Sequence, residues 1–219
     1  MLGQSISRNS LLLAVFAVCT TLLISGTYLL TKDKIAQAQR QAEEKALLEI
    51  VPDDRHNNSM LDDTIAVGPQ TRGLDLRKDK QVYLAKLNDA VVAAIIPVTA
   101  ADGYSGEIDL IVGINADGSI AGVRTLSHKE TPGLGDKVDL KKSDWVLSFN
   151  GKSLTNPSVE KWAVKKDKGD FDQFTGATIT PRAVVGATLR ALQYAQSNYD
   201  KIFAAAATAA TTTAASAGD

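Results

Sequence analysis

From Leu11 to Leu30 almost every position is apolar, and no charge interrupts the chain between Arg8 and Lys32. About twenty helical residues at ~1.5 Å each span the roughly 30 Å hydrocarbon core of a bilayer, so this run predicts one membrane-crossing helix. Arg8 ahead of an apolar stretch also fits a cleaved signal peptide. The run is long for that role, and no small-x-small site follows it directly. Ala36-Gln37-Ala38 comes only after Lys32, Asp33 and Lys34. An uncleaved anchor is the better reading.

Past Lys32 the pattern turns amphipathic. Ile35, Ala38, Ala42, Leu47 and Ile50 form a modest stripe at helical spacing, and Pro52 ends the run. This predicts a solvated helical stalk. Residues 53–80 are polar and turn-rich and read as a connector or a loosely packed edge. Strand signals then follow closely. Val82–Lys86 and Ala90–Val98 flank Asn88-Asp89, and Glu107–Ile114 and Ile120–Leu126 flank Ala116-Asp117-Gly118-Ser119. Both pairs predict antiparallel hairpins. Val184, Val185, Leu189 and Leu192 restore the helical period up to Tyr199. The predicted class is therefore α+β, an antiparallel sheet with packed helices preceded by one transmembrane helix. The predicted organisation is an anchor over 1–31, a stalk or linker over 32–57, a folded domain over 58–203, and a disordered Ala/Thr tail over 204–219.

Composition removes several functions. Basic and acidic residues number 24 and 25, which leaves no basic footprint for nucleic acid. The single cysteine, Cys19, lies inside the apolar run, so disulfides, cysteine zinc sites and iron–sulfur clusters are excluded within the chain. Gly151-Lys152-Ser153 lacks the upstream glycine of a P-loop, where Val146 stands. Gly103-Tyr104-Ser105-Gly106 is no nucleophile elbow, and Gly133-Leu134-Gly135 lacks the third glycine of a dinucleotide fingerprint. His56 and His128 stand apart; His128 reads as a hydrogen-bonded structural residue. Lys32, Lys34, Arg40 and Lys45 follow the apolar helix against Arg8 before it. Taken literally, the positive-inside rule puts the domain in the cytoplasm.

Chemistry concentrates in Asp172-Gln173-Phe174-Thr175-Gly176-Ala177-Thr178-Ile179-Thr180-Pro181. Thr180 followed by Pro181 predicts a hydroxyl N-cap and a proline at the first helical position. Thr178 would then lie just ahead of a helix N-terminus, where free N–H groups and the macrodipole favour a phosphate. From the residues alone, a capped surface turn in which Thr178 has no chemistry is the simpler reading. Gly186-Ala187-Thr188 repeats part of the pattern but falls mid-helix without the upstream Asp, so it reads as packing.

The run Asp172-x-x-Thr175-Gly176-Ala177-Thr178 resembles the flavinylation motif of the FMN-binding domain family, Asp-x-x-Ser/Thr-Gly-Ala-Thr. A second match lies in Gly103-Tyr104-Ser105-Gly106 and in His128-Lys129-Glu130-Thr131-Pro132-Gly133-Leu134-Gly135. The resemblance covers roughly residues 83–199. It implies one FMN per chain, joined through its phosphate to Thr178 by a flavin transferase that uses FAD, with Asp172, Thr175, Gly176 and Ala177 as the motif. It implies a loop near the isoalloxazine with Glu130 and Thr131 as polar contacts and Leu134 as a ring contact. With one anchor helix in front, the arrangement is similar to the G subunits of Rnf (Rsx) ion-translocating electron-transport complexes, which couple ferredoxin and NAD oxidoreduction to ion movement. The implied partners are the other membrane and iron–sulfur subunits of that complex, the flavin transferase and the lipid bilayer. The implied location is a bacterial inner membrane, crossed once, with the domain on the periplasmic side, against the charge count above. Alternatives are the C subunit of a sodium-pumping NADH:quinone reductase, a standalone anchored flavoprotein reductase, and a non-redox adaptor with Thr178 unmodified.

Overall fold

The predicted hairpin strands fall within a five-stranded antiparallel meander in the computed structural model, which describes residues 2–204. Most of the predicted Ala/Thr tail, 205–219, lies outside the described residues. The strands are β1 (Thr64–Val67), β2 (Lys80–Leu87), β3 (Ala90–Ala100), β4 (Ile108–Asn115) and β5 (Ile120–Ser127), in that spatial order. Two helices accompany them, α1 (Leu2–Leu48) and α2 (Ile179–Ser197). The chain divides into two units, Met1–Lys45 and Ala46–Asp219.

The first unit consists of most of α1. Its stretch Asn9–Ile35 is long and apolar enough to cross a membrane, and its large side chains, among them Leu12, Phe16, Leu23 and Leu30, are exposed. The hydroxyls on this apolar surface are satisfied within the helix. Thr20, Thr21, Thr27 and Thr31 donate to the carbonyls of Phe16, Ala17, Leu23 and Thr27, four residues back. In hydrocarbon, where no water can accept, that pairing removes the cost of an orphaned hydroxyl.

In the second unit both sheet faces are buried, and the alternation along each strand assigns its side chains. Val82 and Leu84 of β2, Ala94, Ile96 and Val98 of β3, and Ile108, Leu110, Val112 and Ile114 of β4 enter one core with α2. Tyr83, Ala85, Ala93, Ile95 and Ile111 enter another on the opposite face, with Leu47, Ile50, Val51 and Met60. The stripe read as a solvated stalk thus ends in a core, because Ile50 faces Gly113 and Gly122, which leave room for it. α1 ends at Leu48, a little before Pro52. The connector at 53–80 contains one edge strand, β1, four residues long and too short to show a period. The β2–β3 hairpin turns on Asn88 and Asp89 with φ of 51° and 65°, the twist-matched geometry of a two-residue loop.

Between β5 and α2 the chain is irregular, with short 3₁₀ turns such as Gly135–Val138 and Asp144–Phe149. Aromatic packing fixes it. Phe149 stacks on Phe171 with centroids 4.7 Å apart, and Trp145 meets Phe174 edge-on at 5.0 Å. Phe149, Phe171 and Phe174 are all buried. Each such side chain contributes about 1.5–3 kcal/mol by burial, enough to order a segment with few backbone ladders.

Candidate functional site

Phe174 holds one end of a tight turn. Ala177 N–H donates to the Phe174 carbonyl at 3.1 Å, and Gly176 takes φ of 81° at the third position. Such a turn needs a residue that tolerates positive φ there, which explains the glycine. The turn delivers the chain directly into α2. Thr178 is the N-cap residue, and its carbonyl accepts the Arg182 N–H at 3.3 Å.

Here the structure corrects the sequence-based start of the helix. Thr180 was expected to cap it, with Pro181 as the first helical residue. Thr180 instead lies inside α2, fully buried, and its hydroxyl donates to Glu130 Oε2 at 2.5 Å. As the second residue of the helix, Thr180 stands past the N-cap position from which a side chain reaches the first-turn N–H groups. Pro181 remains acceptable because the third first-turn N–H has no intrahelical acceptor either. Thr178, with φ −74° and ψ −27°, makes no side-chain cap bond, so its hydroxyl is not used by the helix. The first-turn N–H groups of Ile179 and Thr180 also lack intrahelical acceptors.

Thr178 lines a cleft of about 340 Å³ together with Tyr104, Glu130, Thr131, Leu134, Gly135, Gly176, Ala177, Ile179 and Thr180. The volume lies at the lower end of small-molecule sites. Tyr104, Leu134 and Ile179 are substantially exposed at 68%, 43% and 44%, so the cleft has an apolar rim. The FMN-binding signature residues Glu130, Thr131, Leu134, Gly176, Ala177 and Thr178 therefore converge on one cleft. Asp172 and Thr175 do not line it. Asp172 is exposed and pairs with Lys165 at 2.6 Å, while its carbonyl accepts Trp145 Nε1–H at 2.8 Å. Thr175 sits exposed on the turn. Tyr104, Ile179 and Thr180 are lining residues that motif reading passed over. The glycines flanking Tyr104 were the available signal for the first, and no local signal marked the other two.

Glu130 is 4% exposed and fully engaged. Its Oε1 accepts the Ser105 N–H at 2.9 Å and its Oε2 accepts the Thr180 hydroxyl. Its own N–H donates to His128 Nδ1 at 3.1 Å, which gives His128 a structural role and fixes the other ring nitrogen as the protonated one when the ring is neutral. Pro132 and Gly133 lie in the same turn, where Gly133 N–H donates to Asp136 Oδ1 at 2.7 Å. Just inside α2, Arg182 pairs with Asp167 through two bonds of 2.5 and 2.7 Å. The hydrogen bond from that guanidinium holds the Asp167 carboxyl below its ordinary pKa.

The cleft fits an FMN on observations internal to the chain. An unused hydroxyl and free first-turn N–H groups suit a phosphate, and apolar side chains beside them suit a flat ring. The wider likeness agrees. A family profile described as FMN-binding domain matches residues 103–193, and one described as RnfG N-terminal region matches residues 1–50. Among curated relatives, G subunits of ion-translocating oxidoreductase complexes are similar over nearly the whole chain. The one from Vibrio atlanticus is 46% identical, covering 92% of this chain and 95% of the relative. The one from Pseudomonas aeruginosa is 46% identical over 92% and 94%. That from Pseudoalteromonas atlantica is 48% identical over 92% and 94%.

Proposed function

The chain belongs to the family of G subunits of ion-translocating oxidoreductase complexes, and on that premise we propose that it relays electrons within such a complex through one FMN joined by a phosphoester to Thr178. The observation that carries this reading is the Thr178 side chain. It stands at the N-cap of a 19-residue helix, opens on the cleft and serves no cap. FMN, when bound, supplies a centre that exchanges electrons one or two at a time.

The chain's own residues supply position and environment. The Thr178 hydroxyl is the acceptor during maturation. Its Oγ attacks the phosphorus on the flavin side of the FAD pyrophosphate, one P–O bond forms, the bridging P–O bond breaks and AMP leaves. The hydroxyl proton passes to a base of the flavin transferase, and no electrons are exchanged. The first-turn N–H groups of Ile179 and Thr180, at the positive end of the helix dipole, would hold the phosphate. Thr131 offers a polar contact and Leu134 an apolar one to the ring. Exposed Asp172, paired with Lys165 outside the cleft, offers the transferase a recognition point.

The partners in this reading are the other membrane and iron–sulfur subunits, the transferase and the bilayer crossed by α1, with the domain on the periplasmic side. The naming of the relatives as G subunits disfavours both the C subunit of a sodium-pumping quinone reductase and a standalone reductase. The test is intact mass after co-expression with the flavin transferase. A gain of one FMN less one water is expected, lost in Thr178→Val. No gain, or a gain that survives the substitution, sinks the reading. A reporter fused after Lys34 and active only in the cytoplasm would overturn the sidedness.

A further inference from the structure

The side chain of Glu130 was expected to contact the flavin. Glu130 lines the cleft, and its two oxygens also join three separate segments. Oε1 holds the Ser105 N–H of the Gly103–Gly106 turn, Oε2 holds the Thr180 hydroxyl in the first turn of α2, and the residue itself belongs to the His128–Gly135 loop. The surroundings are built to its shape. A Cβ on Gly135 would lie 2.8 Å from Oε2 and 2.9 Å from Thr180 Oγ, and a Cβ on Gly103 would lie 3.0 Å from Oε1. Gly135 therefore leaves room for this carboxyl group, while Gly103 is required first by its own turn, where a Cβ would lie 2.2 Å from the Gly106 carbonyl oxygen.

Resting on the reading of Thr178 as the flavin acceptor, we propose that Glu130 is a positioning residue for flavinylation, acting through Thr180. The Glu130–Thr180 bond draws Thr180 inward and denies it the capping role that its Thr-Pro sequence favours. The helix then starts two residues earlier than that sequence suggests, with Thr178 at the N-cap on the cleft wall. The second oxygen ties the Tyr104 turn to the same point, so acceptor and cleft wall share one anchor. Losing the bond frees the Thr180 hydroxyl to cap and lets the first turn re-form around it. The acceptor is then displaced while the domain stays folded on its two cores.

The test follows flavin transfer to the full-length protein in detergent by intact mass, using purified flavin transferase and FAD, alongside thermal unfolding and amide exchange. Glu130→Gln and Thr180→Val each slow transfer on the order of tenfold, the loss expected when a charge-assisted hydrogen bond stops orienting a nucleophile. The loss falls on kcat rather than on KM for the acceptor, and exchange rises at residues 103–106 and 178–182. Thr180→Ser, which keeps the hydroxyl, restores the rate to within about twofold, and the Gln/Val double variant is no slower than either single one. Thr188→Val is the control, since it removes another buried hydroxyl of α2, one bonded to the Val184 carbonyl at 2.8 Å. Rates for Glu130→Gln and Thr180→Val no lower than for Thr188→Val would overturn the proposal. If Glu130→Gln does not fold, the Thr180 pair decides alone. Failure of the wild-type chain to load at Thr178 would instead overturn the reading beneath it.

Discussion

Ile50 and Gly113 make a contact whose energy can be worked out from both sides. Ile50 is 3% exposed and packs over Gly113 of β4 and its cross-strand partner Gly122 of β5. A Cβ on Gly113 would lie 2.2 Å from Ile50 Cγ2, far inside van der Waals contact, with Ala121 Cβ at 3.4 Å on another side. The site cannot absorb a methyl without displacing Ile50, so Gly113→Ala should cost about 2 kcal/mol as overpacking. Ile50→Ala alone should cost about 3 kcal/mol through lost burial and the cavity left behind. In the double variant the new methyl occupies part of that cavity. Its cost should therefore fall short of the sum by about 1–2 kcal/mol, a coupling well above the error of additive sites. The assay is urea unfolding of the full chain in detergent, followed by the fluorescence of Trp145 and Trp162, with Tm as a second measure at about 2–4 °C per kcal/mol. Strict additivity would refute the reasoning, because it would mean that Ile50 does not occupy the space over the glycine pair. A Gly113→Ala variant as stable as wild type would refute it as well.

The turn before the acceptor offers a separate prediction. Gly176→Ala meets only Leu134 Cδ2 at 3.8 Å, so sterics are ordinary, but φ of 81° strains a residue with a Cβ. Stability should drop by about 1 kcal/mol, while flavin loading measured by mass falls more than that loss explains, because the turn aims Thr178. Acid should act through Asp63, whose carboxyl the Lys86 hydrogen bond holds below its ordinary pKa. Its contribution is present above the unfolded value of about 4 and is lost as pH falls through the lower folded value. The difference in urea midpoint between wild type and Asp63→Asn should accordingly be constant from pH 7 to about 5 and shrink towards pH 3. A difference that grew on acidification would contradict the pairing.

What could be read along the chain was whatever is decided locally. The apolar runs of β3 and β4 follow from two buried sheet faces, and Asn88-Asp89 announces a turn through its tolerance of positive φ. Thr178, the proposed acceptor, and its cleft neighbours Gly176 and Ala177 were legible through a family motif, but the motif could not say which of its members line the cleft. Asp172 and Thr175 are a few residues from Thr178 and nonetheless lie outside the cleft, because the chain reverses at Gly176 between them and the helix. Local reasoning failed wherever a distant residue decided the outcome. Ile50 looked like a stalk position until two glycines more than sixty residues away made a notch for it. Thr180 looked like a cap for the same reason, since its competitor for hydrogen bonding is Glu130, fifty positions earlier. Sequence-local capping energies of about 1 kcal/mol are small enough for one buried carboxyl to override. In the proposed reading that imbalance places the Thr178 hydroxyl at the helix start, and flavin attachment there depends on a long-range contact absent from its own motif.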